Sequence, residues 1–301
     1  MGTPSLAIIN PAAGGGRCGR EAGAVLDELR HAGLVIEEVR TGAPGEATQL
    51  ARDAYRSGTR AFIAVGGDGT GFEIVNGLFP EALAAGGQLP RLGFLPLGTG
   101  NSFLRDFTTE GAAFSKAALM QGRHRRCDVV RLRHRDGETY FINLLSLGFV
   151  ADVCTLTNRR FKRFGEAGYG LGVLSKLLGL KPRPFPFAAD GGPLLGEDLT
   201  FVSFNNSRFT GGSMMMAPAA DTADGACDVI TVKKLSRLGL LRTFPKIFDG
   251  THVTHPAVQS TRAKGVTFAL DAPVDCMIDG EVISLWLTHL DVMPGALEVC
   301  V

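Results

Sequence analysis

The sequence predicts an α/β N-terminal domain with a doubly wound, mostly parallel sheet, followed by a β-rich C-terminal domain read as a β-sandwich. Three observations carry that prediction. Apolar runs alternate with helical patterns through the first third of the chain, as in a parallel sheet covered on both faces. After about Cys127 short strand-like runs and Asp-Gly turns take over. The length of 301 residues suits about two domains. The expected boundaries are 1–127 and 128–289, with the tail 290–301 either ending the second domain or returning to the first.

Each element follows from local pattern. "SLAIIN" is a short apolar run that meets a glycine-rich turn. Ala22, Val25, Leu26, Leu29 and Ala32 then recur at helical spacing and stop at Gly33, a C-cap. "LVIEEV" reads as a strand, and Ala47, Leu50, Ala51 and Ala54 mark a second helix closed by Gly58. "AFIAV" is a third strand, residues 72–79 a third helix and "RLGFLPL" a fourth strand. In the second part, "DVVRLRH" and "ETYFINLLS" flank the hairpin signal Arg135-Asp136-Gly137. "LTFVSFNN", "DVITVKK", "GVTFALD", "VDCMI" and "EVISLWL" follow as strands, interrupted by helical insertions near 165–179 and 236–249.

Composition narrows the function class. A net charge of +1 gives no global field to recruit nucleic acid. The six cysteines are scattered without a CxxC pair, which favours reduced thiols in a cytoplasm. The N-terminal apolar run is too short for a signal peptide, and no stretch reaches the roughly 18 apolar residues of a membrane span. A soluble, cytoplasmic chain is expected.

Gly14-x-Gly16-x-x-Gly19 matches a dinucleotide-binding pattern, and Glu37 and Glu38 lie near where a ribose-binding acid would sit. That match alone is weak, and Arg20-Glu21 after Gly19 excludes a Walker A loop. Gly66-Gly67-Asp68-Gly69-Thr70 is more telling. Thr70 and Glu73 have the spacing of a capping box, so the helix behind them offers backbone N–H groups and a positive dipole end. Glycines at 66, 67 and 69 allow close approach and positive φ. "LGFLPLGTGN" repeats the device with Gly98-Thr99-Gly100-Asn101 before Phe103 and Leu104. Both loops follow strand carboxyl ends, where open α/β sheets bind ligands. Each also reads as a plain βα turn. A carboxylate inside a phosphate cradle makes sense when a cation sits between them, so Asp68 points to ATP with Mg²⁺.

"NPAAGGG", "VGGDGTGFEIVNGL", "LGFLPLGTGN" and "DGE" at 279–281, in this order, resemble the diacylglycerol kinase catalytic-domain family, which includes bacterial lipid kinases and the sphingosine and ceramide kinases. The resemblance runs nearly end to end, through "YFINLLSLGF" and "MAPAADTADGACDV". It implies an active site in a cleft between a nucleotide-binding domain and a β-sandwich, and it makes the GxGxxG match a decoy. It implies that Asn10, Thr41, the loop Gly66, Gly67, Asp68, Gly69, Thr70, Gly71 and Phe72 with Glu73, and Gly98, Thr99 and Asn101 surround ATP. Asp68 and Glu281 are the implied catalytic residues, Glu281 as general base on the first position after the Asp279-Gly280 turn. In some members a Mg²⁺ ion sits on the loop spelled "DTADGA" here, which implies Asp221, Asp224 and Ala226 as ligands; Asp224-Gly225 also reads as a hairpin turn with solvated acids. Many members carry Asn-Asp where this chain has Asn101-Ser102, which leaves acceptor preference open.

Residues 156–187 hold seven Lys or Arg and one acid, Glu166, with Phe161, Phe164, Phe185 and Phe187 among them. Such a segment suits an anionic membrane surface, though it also reads as a solvated basic face over core phenylalanines. His252-x-x-His255 reads as surface histidines, and Met214–Met216 as core filler or acyl-pocket lining. The expected function is an ATP- and Mg²⁺-dependent kinase of a lipid hydroxyl, diacylglycerol first, with a sphingoid base or ceramide as the alternative acceptor. The expected partner is lipid at a membrane surface, by peripheral association; the oligomeric state stays unassigned. The rivals are an NAD kinase-like enzyme, a Rossmann oxidoreductase that leaves Asp68 unexplained, and a nucleotide-gated membrane-binding module without activity.

Overall fold

The computed structural model describes residues 4–86, 88–148 and 182–301. It divides into two compact units, Met1–Val129 with Met293–Val301, and Val130–Val292.

The first unit runs β1 (Ser5–Ile9), α1 (Arg17–His31), β2 (Ile36–Arg40), α2 (Glu46–Arg56), β3 (Ala61–Gly66), α3 (Asp68–Leu78), α4 (Glu81–Ala85), β4 (Arg91–Pro96), a 3₁₀ turn at Phe103–Asp106 and α5 (Ala112–Gln121). The strands pair in parallel in the order β2-β1-β3-β4. β3 is buried along its whole length, as a central parallel strand requires. Ala7, Ile9, Ile63, Val65, Leu95 and Leu97 form one face and pack with Cys18, Ala22, Leu26 and Leu29 of α1. The side chains between them alternate to the other face, where the Phe94 ring lies against Gly71 of α3. On that side α2 and α3 pack at backbone contact. A Cβ on Gly77 would stand 2.3 Å from the Thr48 carbonyl oxygen, so only glycine fits there. The sheet is doubly wound, as the sequence predicts.

The tail resolves the alternative left open by the sequence. Leu287–Cys300 is one long strand, and its end lies parallel to β4, with Glu298 opposite Arg91 and Val299 opposite Leu92. The Arg91–Glu298 ion pair at 2.9 Å ties that end down. "GALEVCV" belongs to the first unit's sheet.

The second unit takes β5 (His124–His134, shared across the boundary), β6 (Gly137–Phe141), β7 (Leu144–Gly148), β8 (Arg183–Pro184), β9 (Phe187–Ala189), β10 (Asp198–Asn205), β11 (Phe209–Thr210), β12 (Met214–Met215), β13 (Cys227–Lys233), α6 (Arg237–Thr243), β14 (Val258–Ala263), β15 (Gly265–Phe268), β16 (Val274–Ile278), β17 (Glu281–Leu285) and the start of β18 (Leu287–Cys300). One antiparallel sheet has the order β14-β13-β10-β7-β16-β17. Its Phe204 stands edge-on to Phe187 and Phe268 of the β9-β15-β18 layer, at 5.3 and 5.4 Å between centroids. Rings from two sheets meeting in this way make the interior of a sandwich.

Burial decides between the side-chain readings for the methionines and phenylalanines and corrects the one for His252. Met214 and Met216 are buried with Leu144, Phe201, Ile247 and Met277, so they fill core. Phe185 and Phe187 are also core, each 2% exposed; residues 156–181 of the basic-aromatic segment, with the helix expected near 165–179, lie outside the described residues. His252 is buried, with Nε2 3.0 Å from the Met216 carbonyl, because the 3₁₀ turn Thr251–Thr254 rolls it inward. Burial lowers its pKa.

Asp279 and Gly280 both have positive φ, the geometry of a two-residue hairpin turn. The buried Asp279 carboxylate accepts the amides of Ile142, Asn143 and Leu144 at 3.1, 3.0 and 2.9 Å. Asp279→Ala strands those donors and is expected to cost about 2–3 kcal/mol in urea unfolding, while Asp279→Asn, which keeps one acceptor oxygen, costs less. An unchanged midpoint in the alanine variant contradicts the anchoring role.

Candidate active site

The order β2-β1-β3-β4 places a topological switch point between β1 and β3, where open sheets bind ligands at the strand carboxyl ends. Four loops converge on that edge. Thr41 N–H donates to the Ile9 carbonyl at 2.9 Å, Asn10 N–H to Val65 at 3.0 Å and Gly98 N–H to Gly66 at 2.7 Å. The third and fourth loops touch backbone to backbone: a Cβ on Gly98 would fall 2.5 Å from the Gly67 Cα. Glycine is demanded here by proximity. The expected positive φ is absent from Gly66, Gly67 and Gly69 and occurs instead at Gly14, Gly15 and Gly16, before α1.

Asp68 is the first residue of α3, four positions earlier than the helix expected from the sequence. The residue is half-buried, but its carboxyl turns inward. One oxygen accepts the Ser102 amide at 2.8 Å and the other the Phe103 amide at 3.4 Å, and the Ser102 hydroxyl bonds it as well. The carboxylate therefore caps the 3₁₀ turn that follows the Gly98 loop. Desolvation raises its pKa, against the opposing pull of those hydrogen bonds. This answers part of what a metal was invoked for: protein amides already hold the charge.

The capping box is not formed. The Glu73 carboxylate accepts Gly45 N–H at 2.9 Å and Ala47 N–H at 3.0 Å, so it caps α2, not its own helix. Thr70 is buried with Oγ1 unpaired, and Gly71 and Phe72 are buried with it. Of the residues expected around ATP, these three present no side chain to the edge. Asn10 stays half-buried there with Oδ1 on the Ala12 amide at 3.1 Å, as does Thr41, whose hydroxyl reaches Ile9 O at 3.4 Å. Thr99 is exposed, and Asn101 adopts φ +49° with its amide on the Gly98 carbonyl.

Sequence reasoning missed the cations. Gly14, Arg17, Gly98, Thr99, Asn101 and Arg105 help line a cavity of about 430 Å³. Arg17 donates to the Gly98 carbonyl at 3.1 Å. Each arginine closely follows a glycine loop, and that adjacency was the signal. Glycine backbone, a helix start and two guanidinium groups form a fit surface for phosphate oxygens. Mg²⁺ commonly takes one or two carboxylates plus substrate phosphates and waters, and Asp68 suits that limited role.

The carboxylates of the other expected metal loop have protein partners. Asp221 Oδ1 accepts the Ala223 amide and Asp224 Oδ1 the Ala226 amide, both at 3.1 Å. Asp224 Oδ2 is paired with the Arg262 guanidinium, whose Nε also lies 3.9 Å from Asp228. Among the described residues no three His, Cys, Asp or Glu side chains gather where one ion could bind them. Glu281, at the start of β17, is exposed beside the anchored Asp279-Gly280 turn. No helix among the described residues is long and apolar enough to cross a membrane.

Comparison with known proteins covers nearly the whole chain. Residues 4–132 match the diacylglycerol kinase catalytic domain, and residues 143–301 match the YegS C-terminal NAD kinase beta sandwich-like domain. A diacylglycerol kinase of Mycobacterium tuberculosis is 32% identical over 97% of this chain and 93% of its own length. A diacylglycerol kinase of Bacillus subtilis is 29% identical over 91% of this chain and 88% of its own. A solved structure from Bacillus anthracis shares the fold with a TM-score of 0.79 at 22% identity, covering 99% of this chain and 95% of that one.

Two outcomes test the site's electrostatics. The Asp68 pKa is raised in the folded state, so its contribution to stability is fully present below the unfolded value of about 3.9 and is lost as pH rises through the folded value. Asp68→Asn is therefore expected to match or exceed the parent's stability at neutral pH and to lose that advantage toward pH 4, in urea unfolding across pH. A variant less stable at neutral pH and relatively more stable in acid has the opposite sign. Secondly, EDTA is expected to leave the unfolding midpoint unchanged, because Arg262 neutralises Asp224; a clear drop returns a structural metal to the 221–226 loop.

Proposed function

The chain belongs to the diacylglycerol kinase family, and from that premise we propose that it transfers the γ-phosphoryl group of ATP to the hydroxyl of diacylglycerol, giving phosphatidate and ADP. The observation that carries the ATP half is the joined pair of glycine loops at the switch point, where Gly67 meets Gly98 and Asp68 caps the turn beyond. Arg17 and Arg105 donate to phosphate oxygens from the cavity they line. Asp68 is the carboxylate that would hold Mg²⁺, and the ion would supply positive charge to offset that of the phosphates.

The acceptor half rests on the relatives named above. A lipid hydroxyl is a poor nucleophile, so its proton leaves as the new O–P bond forms and the β–γ bridge breaks. Glu281 takes that proton. Its support is local: the three amide bonds to Asp279 fix the turn that carries it, and a fixed turn holds a base in one place. Peripheral contact with a bilayer then brings the acceptor to the protein.

Labelled ATP with a panel of diacylglycerol, sphingoid-base and ceramide acceptors tests the reading, and label is expected in phosphatidate; label in a sphingoid product instead reassigns the acceptor. Glu281→Gln is expected to lower kcat by roughly 10² to 10⁴, the contribution of a positioned base, with ATP affinity unchanged. Near-normal kcat in that variant moves the base elsewhere.

A further inference from the structure

Among the described residues, three of the large apolar side chains left exposed cluster in one short stretch of the second unit: Leu238 at 55%, Leu241 at 36% and Phe248 at 50%. The local build explains why. Ser236 caps α6 by accepting the Gly239 amide at 3.0 Å, and the helix passes into a 3₁₀ turn at Phe244–Ile247. Ile247 is buried and Phe244 packs with it on the core of Leu144, Phe201, Met214, Met216 and Met277. Leu238 and Leu241 fall one turn apart on the outward side of α6, and the Phe248 ring stands edge-on to Phe244 at 6.2 Å.

The charge around them has one sign. From Lys234 to Phe248 the sequence holds Lys234, Arg237, Arg242 and Lys246 and no acid. Lys234, Arg242 and Lys246 are exposed. At the edges Lys233 pairs with Glu197 at 3.1 Å, and the Asp249 carboxylate accepts the amide and hydroxyl of Thr251 while Lys246 acts on its charge. A scattered exposed leucine needs no explanation, but three exposed apolar side chains in one stretch with four cations and no acid do.

We propose that 234–248 is a docking surface for an anionic lipid bilayer. Its cations meet headgroup phosphates while Leu238, Leu241 and Phe248 enter the interface, the division of labour of an interfacial amphipathic segment. Charge disfavours a second copy of this chain, because a two-fold axis through the patch would set four cations against four, with Asp249 at the edge as the nearest acid in sequence. The assignment deepens the reading as a lipid kinase, and it gives that enzyme a contact surface built from described core-anchored residues.

The test uses the full chain and vesicles of phosphatidylcholine with and without phosphatidylglycerol. The parent is expected to cosediment with the anionic vesicles at low salt and to be released by high salt. A Leu238→Ser/Leu241→Ser/Phe248→Ser variant and an Arg242→Glu/Lys246→Glu variant are each expected to weaken that binding at least about tenfold. Turnover of vesicle-borne diacylglycerol should fall with binding, while turnover of a short-chain, water-soluble diacylglycerol is retained. Unchanged cosedimentation of both variants overturns the proposal, as does a parent dimer that the serine variant dissolves. Loss of the water-soluble turnover as well assigns the segment to the catalytic machinery and also overturns it. A parent that binds vesicles through this patch yet phosphorylates no lipid upholds the surface and overturns the proposed function, so the two failures are distinct.

Discussion

The approach of Gly67 to Gly98 is the constraint on which the rest of the first unit depends. Two strand-to-helix loops that follow adjacent parallel strands are brought so close that Gly98 tolerates no Cβ against the backbone of Gly67. That contact fixes the level of the 3₁₀ turn at Phe103–Asp106, and the turn presents its Ser102 and Phe103 amides to Asp68. The cavity beside Arg17 and Arg105 exists because these loops hold their height above the sheet. Packing comes first here, and the polar edge follows from it.

A second regularity links the acids of the recognisable motifs. Each is spent on the backbone of a different element. Asp68 of α3 caps the turn after β4, Glu73 of α3 caps α2, and Asp279 of the β16–β17 turn holds the β6–β7 connection. Through these hydrogen bonds each acid fastens two parts of the chain together. Asp68 and Asp279 thus act as positioning elements, each within its own unit. Glu281, the next residue after that turn, is exposed.

Periodicity revealed the two-part architecture because α1 and β3 bury what their patterns say they bury. The Asp-Gly hairpin at 279–280 was equally legible, since positive φ at both positions has few sequence solutions. What escaped was non-local. The start of α3 was set four residues late because Asp68-Gly69-Thr70-Gly71 has poor helix propensity and the dipole and packing override it. Glu73 sits at capping-box spacing, yet its partners are 26 and 28 residues away. The resemblance named Asp224 as a metal ligand, and its ion pair with Arg262 of β14, 38 residues on, is one that no local pattern reveals.

The central claim is that the joined glycine loops form one rigid phosphate cradle. The most direct measurement is the dissociation constant of Mg²⁺–ATP for Gly98→Ala, by calorimetry, beside its urea unfolding curve. The added methyl falls 2.5 Å from the Gly67 Cα and 2.6 Å from its nitrogen, so the loops must part. The account predicts nucleotide binding weakened by at least about tenfold, an increment of roughly 1.4 kcal/mol, in a chain that still unfolds cooperatively. Parental affinity in a folded Gly98→Ala protein would contradict it, because the phosphates would then be held somewhere these loops do not reach.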